Sequence, residues 1–367
     1  MGPAAGAGAG PDRMTPLGAI FARQIAATGP MSLADYMAAC LMHPEHGYYA
    51  TRDPFGARGD FVTAPEISQM FGELTGLALA QCWLDQGAPA PFLLAEPGPG
   101  RGTLMADLLR ATRGVPGFHD ALRLHLVEAS PALRKVQART IGRDDITWHD
   151  SVETLPSGPL YLIANEFFDA LPIRQFQRSE TGWRERMVGA DAAGLAPGLG
   201  PEGARADLDH RLGDTRPGDI VETCAPATAI AADIGARIAA HGGAALIVDY
   251  GGWRSLGDTF QAVADHAPTD PFAAPGLADL TAHVDFEALA RAAAPAAHTR
   301  LCPQGAFLAR LGIAARAEAL ARGLSGAALE AHVAATHRLT GADEMGTLFK
   351  VLGLYPPGAA PPPGLEP

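Results

Sequence analysis

The sequence has little cysteine, little lysine and no long apolar run, and each shortage excludes a class of protein. Its four cysteines form no C-x-x-C pair and no metal-like spacing: Cys40, Cys82, Cys224 and Cys302. Free thiols of this kind are typical of a reducing compartment, so we predict a cytoplasmic protein without a disulfide framework. No apolar stretch is long enough to cross a bilayer, and the first ten residues lack the apolar core of a signal peptide.

Positive charge is also scarce. Lysine and arginine together number 28 against 40 acidic residues, which gives a formal net charge of −12 at pH 7. A nucleic-acid-binding protein would need a basic face, so this balance argues against one and leaves protein partners open. The chain has 367 residues, of which 47% are hydrophobic, enough for two domains or for one large α/β domain with additions.

Strands and helices alternate from about residue 91. Short apolar runs predict four strands, at 92–96, 123–128, 145–149 and 159–164. Helical patterns at 102–113 and 131–140 separate the first three. Alternation of this kind predicts an α/β fold with a mostly parallel, Rossmann-like sheet and right-handed crossovers.

A glycine-rich turn follows the first of these strands. Gly98, Gly100 and Gly102 alternate with other residues in the run E-P-G-P-G-R-G, and a helical pattern starts directly afterwards. Glycines at this point let a ligand approach bare backbone at a helix N-terminus. The turn therefore predicts a site for a nucleotide-like cofactor.

The residues around the glycines discriminate between two cofactors. A dinucleotide fingerprint needs its third glycine where Thr103 stands, and Glu96 at the end of the strand would repel a pyrophosphate. S-adenosylmethionine has no phosphate and carries a cationic ammonium that an acid can meet directly or through water. We therefore predict S-adenosylmethionine as the cofactor and keep NAD as the alternative.

The next two strands also end in polar residues. Glu128 ends the second strand, where an acid can accept hydrogen bonds from both ribose hydroxyls of an adenosine. Asp150 and Ser151 follow the third strand and are predicted to lie near the adenine. These positions indicate a nucleoside without choosing between NAD and S-adenosylmethionine.

The fourth strand leads into the run A-N-E-F-F-D-A-L-P. Polar residues at the carboxyl end of a central strand lie beside the crevice in which α/β sheets bind ligands. We therefore predict Asn165 and Glu166 near the transferred methyl group, with Asn165 also contacting the cofactor and Asp169 as a second carboxylate. A carboxylate here can orient a cationic acceptor and take up its proton.

Several longer blocks resemble the MidA-type family of class I S-adenosylmethionine-dependent methyltransferases. The matching blocks, in family order, are H-P-E-H-G-Y-Y, F-G-A-R-G-D-F-V-T-A-P-E-I-S-Q-M-F-G-E, E-P-G-P-G-R-G-T-L, A-N-E-F-F-D-A-L-P, V-D-Y-G, G-D-T-F-Q-A-V and D-L-T-A-H-V-D-F. They run from about residue 30 to 352. That family includes a mitochondrial complex I assembly factor that dimethylates an arginine of a complex I subunit.

The resemblance implies a seven-stranded methyltransferase core with helical additions. It also implies that an N-terminal block folds over the cofactor pocket, with pocket or lid residues at Thr63, Pro65, Glu66 and Ser68. The expected organisation is a disordered tail at 1–14, a helical lid region at 15–90, a cofactor-binding core at 91–303 with a β-rich insertion near 174–222, a helical addition at 304–343, a last core strand at 344–354 and a disordered tail at 355–367.

Some polar residues stay without an assigned role. Asp249 and Tyr250 end another buried strand and either face the acceptor or close a turn. His43 and His46 have a metal-like spacing, but Pro44 between them disfavours a helical ligand pair, so we predict no metal. His266 and His283 fall in family-like blocks and are either acceptor-side or structural.

Together these features predict a methyltransferase that modifies a protein, on an arginine side chain. The resemblance implies a respiratory NADH dehydrogenase (complex I) subunit as the substrate and assistance to its assembly. A non-catalytic assembly factor that keeps the cofactor pocket, and an NAD-dependent oxidoreductase, are the alternatives. We expect no nucleic acid and no membrane insertion, and a homodimer stays open.

Overall fold

The computed structural model describes residues 14–51 and 62–367. The tail predicted at 1–14, apart from Met14, and the whole run F-G-A-R-G-D-F lie outside these residues. Within the described ranges, no helix is both long and apolar enough to span a membrane. The described chain forms two compact units, a larger and a smaller one.

The helices and strands are numbered in chain order. The helices are α1 (Pro16–Thr28), α2 (Leu33–Met42), α3 (Tyr48–Thr51), α4 (Ala64–Ile67), α5 (Gln69–Asp85), α6 (Thr103–Ala111), α7 (Phe118–Ala121), α8 (Pro131–Ile141), α9 (Ala225–His241), α10 (Phe286–Ala292), α11 (Gln304–Arg310), α12 (Ile313–Ala321), α13 (Gly326–Thr340) and α14 (Met345–Leu348). The strands are β1 (Met31–Ser32), β2 (Phe92–Pro97), β3 (Leu122–Val127), β4 (Thr147–His149), β5 (Leu160–Asn165), β6 (Arg174–Arg178), β7 (Trp183–Asp191), β8 (Gly194–Gly203), β9 (Ile220–Thr223), β10 (Gly243–Gly252), β11 (Gln261–Ala264), β12 (Ala267–Thr269), β13 (Asp279–Thr281), β14 (Val284–Asp285), β15 (Ala297–His298), β16 (Cys302–Pro303) and β17 (Phe349–Tyr355).

The larger unit comprises 62–171, Glu222–Thr259 and Thr281–Pro367 and contains the predicted parallel sheet. Its strand order is β15-β17-β10-β5-β2-β3-β4, with β14 added to β10 and β16 to β17. The pairs from β10 to β4 are parallel, and β17 runs antiparallel to β10. The predicted α/β fold with a mostly parallel sheet is therefore confirmed.

The central strands of this sheet are buried on both faces. Every residue of β2 and β5 is buried, as expected for parallel strands covered by helices on each side. On one face Phe92, Tyr161 and Leu246 pack against residues of α5 and α6. On the other face Leu162 and Ile247 pack against residues of α9 and α10. Because β2 lies between β3 and β5, the strand order reverses at β2, and α/β sheets bind ligands beside such a reversal.

The smaller unit comprises 14–51, Pro172–Val221 and Phe260–Leu280. Its main sheet has the order β1-β7-β6-β9, with β8 paired to β7, and a small core of Phe176, Trp183, Leu208 and Val221. In the hairpin between β11 and β12, Asp265 and His266 both have positive φ, of 52° and 61°. His266 therefore occupies a tight hairpin turn in this unit.

The C-terminal stretch 355–367 differs from the disordered tail that its proline-rich composition predicts, since Tyr355 ends β17 and residues 356–367 follow it. Leu365 is 7% exposed and belongs to the core on the α5 and α6 face of the sheet. The Arg300 N–H donates to the Glu366 carbonyl at 2.8 Å, and the Arg310 guanidinium contacts the Glu366 carboxylate at 2.8 Å. One buried leucine and one ion pair hold the segment, which composition alone does not reveal.

Candidate active site

Every catalytic or cofactor-binding residue predicted from the sequence lies in the larger unit, at or just after the carboxyl ends of β2, β3, β4 and β5. Parallel strands end at the same edge of a sheet, so separate stretches of the sequence meet there.

The glycine turn has the backbone that only glycine adopts easily. Gly98, Gly100 and Gly102 have φ of 62°, 52° and 84°, in the left-handed region. Gly102 is the residue directly before α6. A Cβ atom on Gly98 would lie 2.9 Å from Cδ2 of Phe167, so the turn also packs tightly against the loop after β5.

Glu96 is a buried acid at the end of β2. Its side chain is 3% exposed, and among the described residues no group hydrogen-bonds to its Oε2 atom. Burial raises its pKa to about 8. A buried carboxylate oxygen left unsatisfied is costly, so a cationic group on a ligand fits this position.

Glu128 follows β3 and is held by two donors. The Ser130 N–H donates to Oε1 at 2.8 Å, and Nε2 of Gln137 donates to Oε2 at 3.0 Å. Burial raises the pKa of this carboxyl, although both hydrogen bonds oppose the shift. Each oxygen keeps acceptor capacity for a second donor, which is what a ribose diol would supply.

Asp150 and Ser151 have a more exposed position. The Asp150 carboxylate is 85% exposed and forms an ion pair with Arg134 at 2.6 Å, while Nε of Arg134 donates to the Glu128 carbonyl at 2.7 Å. Ser151 is half-buried and precedes a short 3-10 turn. The structure thus places Asp150 close to the Glu128 backbone, but its carboxylate points to solvent and Arg134.

Glu166 has an unusual backbone at the end of β5. Its φ is 50°, which is rare for a residue with a side chain and is often found at functional sites. Its Oε1 atom accepts hydrogen bonds from the Ala64 N–H and from Nδ2 of Asn165, both at 3.1 Å. Burial raises its pKa, and within the part of the chain that the structure describes, Oδ1 of Asn165 has no hydrogen-bond partner.

Asp249 was not assigned a role from the sequence, and the structure gives it one. It is fully buried on β10, directly after the last residue that pairs with β5, and its carboxylate accepts hydrogen bonds from the N–H groups of Phe168 (2.9 Å), Asp169 (3.2 Å) and Tyr250 (2.9 Å). Burial and the nearby Glu166 raise its pKa. Asp249 therefore holds the loop that carries Glu166 and the buried Asp169. The signal in the sequence was an acid ending a buried strand next to β5.

The segment before α5 contributes to the same site. Besides the Ala64 N–H, Glu66 on α4 accepts a hydrogen bond from Oγ1 of Thr103 at 2.5 Å, at the start of α6. Thr63 and Ser68 precede α4 and α5, and the Ser68 hydroxyl accepts from the Met70 N–H at 3.3 Å. The segment thus connects the loop after β5 with the helix that follows the glycine turn.

The histidines without an assigned role separate into different settings. His283 is exposed, its ring packs edge-on against Tyr250 at 5.2 Å, and its N–H donates to Oγ1 of Thr259 at 2.8 Å. In the smaller unit, Nδ1 of His43 accepts the N–H groups of Glu45 and His46, both at 3.2 Å, which is a local backbone role. Across residues 14–51 and 62–367, no group of three metal-ligating side chains occurs.

Comparison with known proteins decides the family. A family model described as "Putative S-adenosyl-L-methionine-dependent methyltransferase" matches residues 74–302, which include the site just described except for the segment before α5. The chain belongs to this MidA-type methyltransferase family. The resemblance seen in the sequence blocks is therefore confirmed, and the chain is an S-adenosylmethionine-dependent methyltransferase.

Two curated relatives and two solved structures extend this finding. The methyltransferase is 40% identical to protein arginine methyltransferase NDUFAF7 of Danio rerio, over 82% of this chain and 77% of that protein, and 38% identical to the Homo sapiens protein, over 84% and 76%. A crystal structure from Burkholderia thailandensis with bound S-adenosyl-homocysteine has a TM-score of 0.79 at 30% identity, covering 92% of this chain and 91% of that chain. A native structure from the same organism gives 0.77 at 30% identity, with the same shares covered.

These relatives also decide between the two cofactors weighed from the sequence. The family is defined by S-adenosylmethionine, so the prediction of that cofactor is confirmed and NAD is not needed to explain the glycine turn. The fit is visible in the chain itself. Glu96 offers an unsatisfied buried carboxylate oxygen, and the turn beside it exposes backbone to a ligand.

Proposed function

We propose that this methyltransferase modifies an arginine side chain of a protein. The observation that carries the proposal is Glu166, a carboxylate held in a left-handed backbone at the end of β5, beside the glycine turn. Relatives that are 36–40% identical are named protein arginine methyltransferases, which supports the same acceptor here. A fixed carboxylate is the group that a guanidinium requires.

The residues proposed to hold the cofactor lie at four strand ends, those of β2, β3, β4 and β5. Glu96 would meet the ammonium, the backbone of Gly98, Gly100 and Gly102 would allow close approach, and Glu128 would accept the ribose hydroxyls. Asp150 and Ser151 would lie at the adenine side, and Asn165 near the methyl group. When bound, S-adenosylmethionine supplies an electrophilic methyl group on sulfur.

The proposed role of Glu166 follows from the acid–base chemistry of arginine. A guanidinium stays protonated at neutral pH, so its nitrogens are poor nucleophiles unless a carboxylate draws the positive charge away from the attacking nitrogen. Glu166 would bind the far side of the guanidinium, with Asp169 as the second carboxylate. The new C–N bond forms as the C–S bond breaks and its electron pair stays on sulfur, and the surplus proton leaves through a carboxylate to water.

The residues around Glu166 would contribute the remaining rate acceleration. Phe167 and the buried Phe168 follow it directly and limit access of water to the acceptor. Holding two reactants in an attack geometry is worth roughly 7–11 kcal/mol of a reaction barrier. We further propose that the acceptor belongs to a subunit of the respiratory NADH dehydrogenase, and that methylation assists its assembly.

The substitution Glu166→Gln tests the proposed reaction. It keeps the shape of the side chain but removes the charge, so we expect kcat to fall about 10²- to 10³-fold while the Kd for S-adenosylmethionine stays within about threefold. Mass spectrometry of the purified partner subunits would follow arginine methylation, with calorimetry for cofactor binding. The matched control is Glu153→Gln, at an exposed glutamate in the same unit.

Two outcomes would contradict the proposal. Methylation at the wild-type rate by the Glu166→Gln variant would exclude Glu166 as the catalytic carboxylate. If the wild-type protein binds S-adenosylmethionine and leaves every arginine of its partners unmodified, a non-catalytic assembly role explains the chain better.

A further inference from the structure

A buried glutamine connects two parts of the proposed cofactor site. Gln137 lies on α8 and is fully buried. Its Nε2 atom donates to the Gly100 carbonyl at 2.9 Å and to Oε2 of Glu128 at 3.0 Å, and its Oε1 atom accepts from Nε1 of Trp148 at 3.0 Å. One amide group thus contacts the turn after β2, the acid after β3 and the strand β4.

The partner on β4 fixes which way round the amide lies. An indole N–H can only donate, so the amide oxygen of Gln137 must face Trp148. The two N–H protons of the same amide are then directed at two acceptors, the Gly100 carbonyl and the Glu128 carboxylate. Reversing the amide would set two donors against each other and an oxygen against two acceptors, so all three contacts depend on one orientation.

Close packing leaves this arrangement little freedom. A Cβ atom on Gly102 would lie 3.3 Å from Cα of Gln137, so α8 passes directly beside the end of the glycine turn. The other oxygen of Glu128 is held by the Ser130 N–H, from the residue that caps α8. Gln137 and Ser130 therefore fix Glu128 from the same helix.

We propose that Gln137 is a positioning residue for S-adenosylmethionine. It holds the Gly100 peptide and the Glu128 carboxylate at a fixed separation, so that the backbone approach and the ribose contact are ready together before the cofactor arrives. This inference rests on the proposed cofactor residues. Removing the amide would leave a carbonyl and a carboxylate without their donor and free to shift.

The test is Gln137→Met, which keeps the volume of the side chain and removes its hydrogen bonds. We expect the Kd for S-adenosylmethionine and for S-adenosyl-homocysteine, measured by calorimetry, to rise about 10- to 100-fold, because a hydrogen bond to a charged group is among the strong ones. At saturating cofactor, kcat should stay within about twofold, because Glu166 lies on another loop.

The chain offers a matched control in a second buried glutamine. Gln304 on α11 is also fully buried and donates to the Leu339 carbonyl at 2.9 Å. Gln304→Met removes a buried amide in the same way, and it should leave both Kd values within about twofold. An equal rise of the Kd in both variants would reduce Gln137 to a merely structural residue and overturn the inference.

A milder variant keeps the inference testable if Gln137→Met does not fold. Trp148→Phe leaves the amide in place and removes only the donor that orients it, so the Kd should rise about three- to tenfold. An unchanged Kd in a folded Trp148→Phe or Gln137→Met variant contradicts the inference.

Two further variants distinguish failure of the inference from failure of the site. If Glu128→Gln and Gly100→Val leave cofactor binding unchanged, the proposed cofactor residues are wrong. If both weaken it and Gln137→Met does not, only the positioning role is wrong.

Discussion

The two halves of the candidate site are built in opposite ways. In the half formed by the ends of β2 and β3, glycines and internal hydrogen bonds shape the backbone, as at Gly100 and around Glu128. In the half formed by the ends of β5 and β10, Glu166 has a left-handed backbone and shares its surroundings with a second carboxylate, Asp249. Apart from the buried Glu96, which keeps an unsatisfied carboxylate oxygen among the described residues, the first half is relaxed, whereas the second holds groups in costly states.

This difference indicates a division of work. A cofactor that is the same in every turnover can be met by a rigid, satisfied surface. A reacting acceptor needs charged side chains that are not already neutralised by the protein. Such side chains are often held in conformations or burial states that lower the stability of the fold. Substitutions in either half test this division, and we expect the largest effect at the glycine turn.

Gly100→Val changes the half formed by the ends of β2 and β3 at the point where its backbone is most constrained. With φ of 52° and the carbonyl engaged by Gln137, a β-branched side chain is strained and occupies the space of the ligand. We expect binding of S-adenosylmethionine to fall below detection in calorimetry. Gly114→Val, at an exposed glycine where a Cβ meets nothing within 4 Å, is the control. Unchanged affinity in a folded Gly100→Val protein would refute the placement.

Low pH should also lower the stability of the fold through the half of the site formed by β2 and β3. On β3 and β4, Nδ1 of His125 lies 2.9 Å from Nε2 of His149, and burial lowers the pKa of His125 to about 4. The folded-state pKa lies below the unfolded value of about 6.5, so the unfolded chain takes up protons first. Stability should therefore fall from about pH 6.5 to about pH 4, by on the order of 3 kcal/mol for this group.

Denaturant titrations at several pH values would measure this loss. His125→Gln should flatten the profile between pH 6.5 and 4, whereas His241→Gln, at an exposed histidine at the end of α9, should leave it unchanged. An identical slope in wild type and His125→Gln would show that the histidine pair does not set the acid response.

Asp249→Asn tests the costly half without touching the proposed acceptor contact. An amide can offer its oxygen to only part of the three backbone N–H groups, and its NH₂ would oppose the remainder. We expect kcat to fall about 10- to 100-fold and the acid limb of the pH–rate profile to move, because Glu166 loses a neighbouring carboxylate. The Kd for S-adenosylmethionine should stay within about threefold. A pH profile that keeps its shape would contradict the coupling.

Asp150→Asn should have the smallest effect. The carboxylate is exposed and its pair with Arg134 is solvent-screened, so such a pair contributes little. We expect the Kd for S-adenosylmethionine to change less than about threefold, measured beside Glu128→Gln for scale. A tenfold or greater change would mean that Asp150 contacts the adenine directly.

Local signals in the sequence were enough for the core of the fold. The apolar run predicted as a strand at 159–164 is observed as Leu160–Asn165, and the one at 92–96 as Phe92–Pro97. Ser32 caps α2, where its hydroxyl accepts a hydrogen bond from the Asp35 N–H at 3.0 Å. Runs of buried residues and caps depend on neighbours in the chain, so they can be read without the fold.

Features that depend on distant segments were not predictable in this way. The smaller unit combines three separate stretches, and its two-residue strand Met31–Ser32 exists only because β7 pairs with it. Gln137 gave no signal, because a glutamine in a polar helix is ordinary until Gly100, Glu128 and Trp148 are brought around it. The predicted site residues lie along one sheet edge, but their roles stay predictions.

The contact between Gly98 and Phe167 has a consequence for protein engineering. A side chain at 98 would meet the Phe167 ring at 2.9 Å, so the two positions share one volume. A library that varies Phe167 to admit a different acceptor would change how much space remains over the backbone at 98. Selection for new substrates should therefore also change the affinity for the cofactor. Active variants should carry paired substitutions, one in the glycine turn and one in the loop after β5.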